Sequence, residues 1–114
     1  MRIKRIAFIA YPRMTLLDLV GGYDALRRVA RMGIDRTVTH RILGTEPELA
    51  DDSGFVVRCD GVYEDLDAFD LLYVPGGLGA RQLLEDSRFI DWIGSWGIDR
   101  PIASVCTGAV LLGA

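Results

Sequence analysis

At 114 residues the chain is long enough for one domain with a real core and too short for two. Half of its residues are hydrophobic and a quarter charged, with no repeat or low-complexity run, which is the profile of a soluble globular domain and excludes a disordered or fibrous one. Thirteen basic against sixteen acidic side chains leave a net charge of -3 with the basic residues scattered, so nucleic acid is not expected as a partner.

The opening MRIKRIAFIAYPRM has a basic start, but its apolar run from Ile6 to Tyr11 is too short for a secretory h-region and reads as a first strand over Ile3 to Ala10. No stretch is long enough to span a bilayer. Without an export signal the thiols of Cys59 and Cys106 are expected to stay reduced, and the setting to be cytoplasmic. After Thr15, a candidate cap, Leu16, Leu19, Val20, Tyr23, Leu26, Val29 and Ala30 recur at helical spacing, with arginines late and Gly33 as a stop. Thr37 to Gly44 reads as a second strand. Phe55 to Cys59 with Val62 and Tyr63 reads as a short hairpin-like element bounded by Asp52, Ser53, Gly54, Asp60 and Gly61. Asp70 to Val74 is a buried strand stopped by PGGLGA. Asp86 or Ser87 then opens a helix through Trp96 that Gly97 ends, and Ile102 to Val105 is the last strand. Strands separated by helices predict an α/β fold, a mainly parallel sheet with helices on both faces, because parallel strands need long crossovers.

Chemistry in such a sheet collects at the carboxyl ends of the strands. Three segments fall there: YPRMTLLD, PGGLGA and CTG. SVCTGA has the form of a nucleophile elbow, a strand, a sharp turn among small residues and a helix, with cysteine in place of the usual serine. A thiol at that corner lies near a helix amino terminus, where free N–H groups and the dipole favour a thiolate, although a strand-end cysteine is also a common structural residue. Cys59 has no such setting and reads as structural. PGGLGA lacks the lysine and hydroxyl of a P-loop and the spacing of a dinucleotide fingerprint, which leaves a tight turn or an anion or oxyanion contact open. Asp18, in the first helical turn, either complements the helix dipole or serves as a proton donor beside a thiolate. His40, the one histidine, shares strand parity with Val38 and Ile42 and reads as a satisfied sheet residue.

Taken together, YPRMTLLDLVGGYDAL, DLLYVPGGLGA and ASVCTGAVLLGA resemble, in order and spacing, the ThiJ/PfpI superfamily of class I glutamine amidotransferase-like domains, over essentially the whole chain. Within it the chain is most similar to the isonitrile hydratase group, with its LDLxGPYDxL segment, VPGG turn and SVCTGxLxLGAAGLL elbow. The resemblance implies a flavodoxin-like or class I glutamine amidotransferase-like α/β fold, a single domain over 1–114, a small-molecule isonitrile substrate, a homodimer and no metal or organic cofactor. It implies Cys106 as nucleophile, Asp18 as the acid/base carboxyl and Thr107 as a polar partner, with Gly77 and Thr107 offering backbone N–H groups to developing charge. Protease-like and glyoxalase-like relatives usually carry histidine directly after the cysteine, and Thr107 stands there instead. Gly22 stands where the hydratase pattern often has proline. Domains of this kind continue well past the elbow helix, so the uncapped apolar end AVLLGA leads us to expect that a C-terminal part lies beyond Ala114. Two other uses of such a domain are a non-catalytic ligand sensor in AraC-type transcription regulators and a cysteine-based redox or stress sensor.

Overall fold

The computed structural model describes residues 3–31, 38–97 and 99–104. Along the chain run β1 (Arg5–Ala10), α1 (Leu16–Arg31), β2 (Thr39–Gly44), β3 (Glu48–Ala50), β4 (Val56–Arg58), β5 (Gly61–Val62), β6 (Leu71–Val74), α2 (Ala80–Leu83), α3 (Ser87–Gly94) and β7 (Ile102–Ser104). Five strands form one sheet in the order β5-β2-β1-β6-β7, and every neighbouring pair is parallel.

The sequence RIAFIA makes β1 the central strand because both of its faces are covered. All five residues from Ile6 to Ala10 are buried. Phe8 points to the face covered by α1, where its ring meets Tyr23 at 5.4 Å and Tyr73 of β6 at 5.5 Å between centroids. Tyr11, three residues on and therefore of opposite parity, meets Phe89 of α3 at 6.1 Å on the other face. The apolar stripe Phe89, Trp92 and Ile93 of α3 is buried there, with Trp96 just beyond the helix. Asp86 caps α3, its carboxylate accepting from the Phe89 N–H at 3.2 Å, and Gly97 (φ 91°) follows the turn that ends the segment. At the other end of the sheet, the Asp70 carboxylate accepts from the Lys4 and Arg5 N–H groups at 2.9 and 3.0 Å and fastens the entry of β1 beside β6. Those two bonds hold the Asp70 carboxyl below its usual range.

Two features go beyond the sequence reading. The element over Val56–Arg58 pairs antiparallel with β3, whereas Gly61–Val62 leaves that hairpin to become the edge strand of the main sheet. A single helical turn, α2, follows the glycine-rich turn. Both were invisible to periodicity because elements of two to four residues complete too few repeats to register. Gly33, Thr37 and Val105, expected to bound a helix and two strands, lie outside the described residues.

The segments leaving β1 and β6 are laced together. The Thr15 N–H donates to the Gly76 carbonyl at 2.8 Å, the Gly79 N–H donates to the Arg13 carbonyl at 3.1 Å, and Met14 and Gly77 form an antiparallel bridge. Such closeness requires glycine. A Cβ on Gly79 would overlap the Pro12 carbonyl oxygen, and one on Gly77 (φ 148°) would sit 2.5 Å from the Met14 Cα and the Thr15 nitrogen. Arg13 adopts a left-handed φ of 64° at this junction, and its N–H donates to Ala50 of β3 at 2.9 Å. The Asp52 N–H adds a bond to the Met14 carbonyl at 3.0 Å, so the β3–β4 hairpin braces the same loop. The hairpin tip is organised by Asp51, a buried carboxylate accepting from the N–H groups of Ser53 (2.9 Å) and Phe55 (2.7 Å) and from the Ser53 hydroxyl (3.0 Å). Burial opposes the Asp51 charge, but these donors outweigh it and hold the carboxyl below its usual range.

Replacing Gly79 by alanine is expected to cost about 1–3 kcal/mol or more, since backbone must move to admit the methyl group. Gly94→Ala, whose added Cβ meets nothing within 4 Å, is expected to leave Tm unchanged or raise it. Equal melting temperatures for the two variants would contradict the close approach. Asp51→Ala is expected to lower Tm by a few degrees at neutral pH. Because the folded-state carboxyl titrates below its unfolded value of about 3.9, its contribution is complete above that pH and is lost as pH falls through the folded value. The gap between parent and variant therefore closes on acidification, and a gap constant through the acid range would contradict the assignment.

Candidate active site

In an open parallel sheet, a crevice forms where successive crossovers leave in opposite directions. Here the chain steps from β1 to β2 and β5 on one side and later to β6 and β7 on the other, so the divergence lies between the carboxyl ends of β1 and β6. The laced segments 11–15 and 75–79 occupy that place.

Asp18 lies in the first turn of α1 and is half-buried. The Tyr73 hydroxyl crosses from β6 to donate to the Asp18 backbone carbonyl at 2.6 Å, tying the turn that carries the carboxylate to the sheet. Gly22, one turn along, packs against the ring of that same tyrosine, where any Cβ would overlap it. A proline at this position would have to displace Tyr73, which accounts for the glycine in this sequence.

Tyr11 is fully buried, and its hydroxyl donates to the Pro75 carbonyl at 2.7 Å. Burial, reinforced by the negative charge of Asp18, pushes this phenol far above its ordinary range. It is therefore a protonated donor at any working pH. Gly77 contributes backbone alone: its conformation and its contact with Met14 exclude a side chain.

Asp18 and Gly77 are thus brought to one sheet edge. Cys106 and Thr107 lie outside the described residues; in sequence they follow Ser104, the last residue of β7 and the register partner of Val74, by two and three positions. Cys59, by contrast, is half-buried, and burial together with the charges of Asp60 and Glu46 pushes its thiol up to about 11. It stays protonated and unreactive at neutral pH. His40 sits near the start of β2, opposite Ile6, with a ring nitrogen 3.0 Å from the Tyr23 hydroxyl and the two rings edge to face. That is about 13 Å along the strand from Gly44 at the carboxyl end, so this histidine serves the sheet and not the edge site.

An apolar groove of about 390 Å³ runs between α1 and β4, lined by Leu16, Leu19, Val20, Ile42, Phe55 and Val57 among others. At 100° per residue, the helical lining is centred about 150° around α1 from Asp18, so the groove is separate from the edge site. No group of three or more His, Cys, Asp or Glu side chains among the described residues is arranged to hold a metal ion. No helix among them is long and apolar enough to cross a membrane.

Tyr11, Tyr73 and Asp51 are the residues of this neighbourhood that sequence reading missed. A signal existed for the tyrosines: each sits in or at the end of an apolar strand run, where a buried phenolic oxygen must find a partner.

Comparison with known proteins agrees with this architecture. The family model described as DJ-1/PfpI matches residues 4–114. Isonitrile hydratase from Pseudomonas putida is 32% identical over 111 residues, covering 96% of this chain and 46% of that protein, so the chain spans about half the length of its curated relative. Among solved structures, Drosophila melanogaster DJ-1beta superposes with a TM-score of 0.78 at 22% identity, over 98% of this chain and 60% of that one. Oxidized Toxoplasma gondii DJ-1 gives 0.76 at 16% identity, over 96% and 59%. The match of that family along almost the whole chain, with which the parallel sheet of the described residues agrees, makes this chain a member of the DJ-1/PfpI family.

Proposed function

We propose that the full-length protein hydrates an isonitrile to an N-substituted formamide, with Cys106 as nucleophile, Asp18 as proton donor and acceptor, and Thr107 holding the water. The backbone N–H groups of Gly77 and Thr107 face the developing oxyanion in this reading. The observation that carries it is the meeting of Asp18 and the Gly77 turn at one strand edge, beside the strand whose sequence runs on into CTG, in a chain 32% identical to an isonitrile hydratase. The substrate is then a small molecule, the assembly a homodimer and the setting cytoplasmic.

The isonitrile carbon accepts a nucleophile and then behaves as a base. The Cys106 thiolate forms the C–S bond while Asp18 protonates the same carbon, giving a thioimidate. Water adds across the C=N bond, oxygen to carbon and a proton to nitrogen through Asp18. Loss of the hydroxyl proton to Asp18 leaves a tetrahedral oxyanion. Its collapse breaks the C–S bond, releases the formamide and restores both the thiolate and the protonated carboxyl. Turnover is neutral overall: one isonitrile and one water give one formamide.

Isonitrile loss and formamide appearance, followed by NMR on the full-length protein, test the reading. Cys106→Ala is expected to abolish turnover, and Asp18→Asn to slow it by about 10²–10⁴, the usual worth of a positioned acid/base group. Turnover that survives removal of the thiol, or a parent inert toward both alkyl and aryl isonitriles, would overturn it.

A further inference from the structure

We infer that Tyr11 is a positioning residue of the edge site: its hydroxyl, together with the Thr15 amide, fixes the Pro75–Gly77 turn so that the turn's N–H groups are presented to an oxyanion. The inference rests on the reading above in taking this edge as the reactive one. Two consecutive peptide units are involved. The Pro75 carbonyl accepts from the Tyr11 hydroxyl at 2.7 Å, and the Gly76 carbonyl accepts from the Thr15 N–H at 2.8 Å. No peptide bond among the described residues is cis. In a planar trans peptide the N–H points opposite to the C=O, so pinning the two oxygens aims the Gly76 and Gly77 N–H groups away from their respective donors. Catalytic N–H donors work by being fixed in advance, at no cost of reorganisation when charge appears.

Among the described residues, the Pro75 carbonyl is the hydrogen-bond partner of the Tyr11 hydroxyl. Phenylalanine would supply the same contact with Phe89 at 6.1 Å without burying a polar atom. Pro75 is itself fully buried, and among the described residues the phenol is the donor that satisfies its carbonyl. Because burial and the Asp18 charge keep the phenol protonated, the pin holds throughout the working pH range.

The test compares two reactions of the same thiol in the full-length protein, with Cys106→Ala supplying the background from every other thiol, Cys59 included. Acylation by p-nitrophenyl acetate forms the C–S bond through a tetrahedral oxyanion and expels p-nitrophenolate. Alkylation by iodoacetamide displaces iodide and forms no oxyanion. Tyr11→Phe is expected to slow acylation about tenfold, less than the 10²–10³ lost with an oxyanion donor outright, and to leave alkylation within about twofold. In isonitrile turnover the same variant is expected to lower kcat with little change in KM. Thr15→Pro removes the second pin ahead of the first turn of α1, where a missing N–H breaks no helical bond, and is expected to show the same selectivity should Tyr11→Phe fail to fold. Equal changes in both rates, no change in either, or a parent thiol that esters do not acylate would each overturn the inference. A parent that is inert toward isonitriles yet shows the selective loss overturns only the proposed reaction and leaves the role of Tyr11 standing.

Discussion

The structure depends on the close approach of two loops at the carboxyl ends of β1 and β6. Backbone bonds from Thr15 to Gly76 and from Gly79 to Arg13 bring the chains within a distance that no side chain on Gly77 or Gly79 would permit. Everything near the candidate site hangs on that seam. It fixes where α1 begins, hence where Asp18 stands, and it fixes the turn that offers backbone N–H groups. The β3–β4 hairpin, held at its tip by the Asp51 carboxylate, presses on the same loop through Arg13 and Met14. A left-handed Arg13 marks the point where the three segments meet, and a conformation of that kind persists only because its neighbours over-determine it.

The two halves of the sheet reach the seam from different directions. Tyr73 on the α1 face and Tyr11 on the α3 face each carry a phenolic hydroxyl to a backbone carbonyl, of Asp18 in one case and Pro75 in the other. Each replaces a solvent partner for a buried polar atom with a fixed internal one, which converts packing into orientation. The contrast with Cys59 is instructive. Held in an apolar, acidic surrounding, its thiol is driven toward the protonated form, whereas the setting expected for Cys106 beside a helix amino terminus works in the opposite sense.

Much of this was legible in the sequence. The continuous apolar run of β1, the helical spacing from Leu16 and the Asp86 cap each carry a local signal strong enough to identify their elements. The glycine-rich PGGLGA announced a tight turn or an anion contact after β6, and the order of strands and helices implied a parallel sheet whose carboxyl edge gathers Asp18 and Gly77. What escaped was non-local. The partner of β4 is a three-residue strand with no period of its own, and β5 owes its place to register with Leu43 and Gly44 rather than to its two residues. The hydroxyls of Tyr11 and Tyr73 bond across more than fifty residues of sequence, a pairing that no local pattern encodes.

The central claim is that this edge, and not another part of the chain, holds the reacting thiol. The most direct measurement is mass spectrometry of the full-length protein quenched during reaction with an isonitrile. The account predicts an adduct equal to the mass of the whole isonitrile, because addition expels nothing, located on the peptide that contains Cys106. An adduct on any other peptide, that of Cys59 included, or formamide production with no cysteine adduct at any quench time, would contradict it.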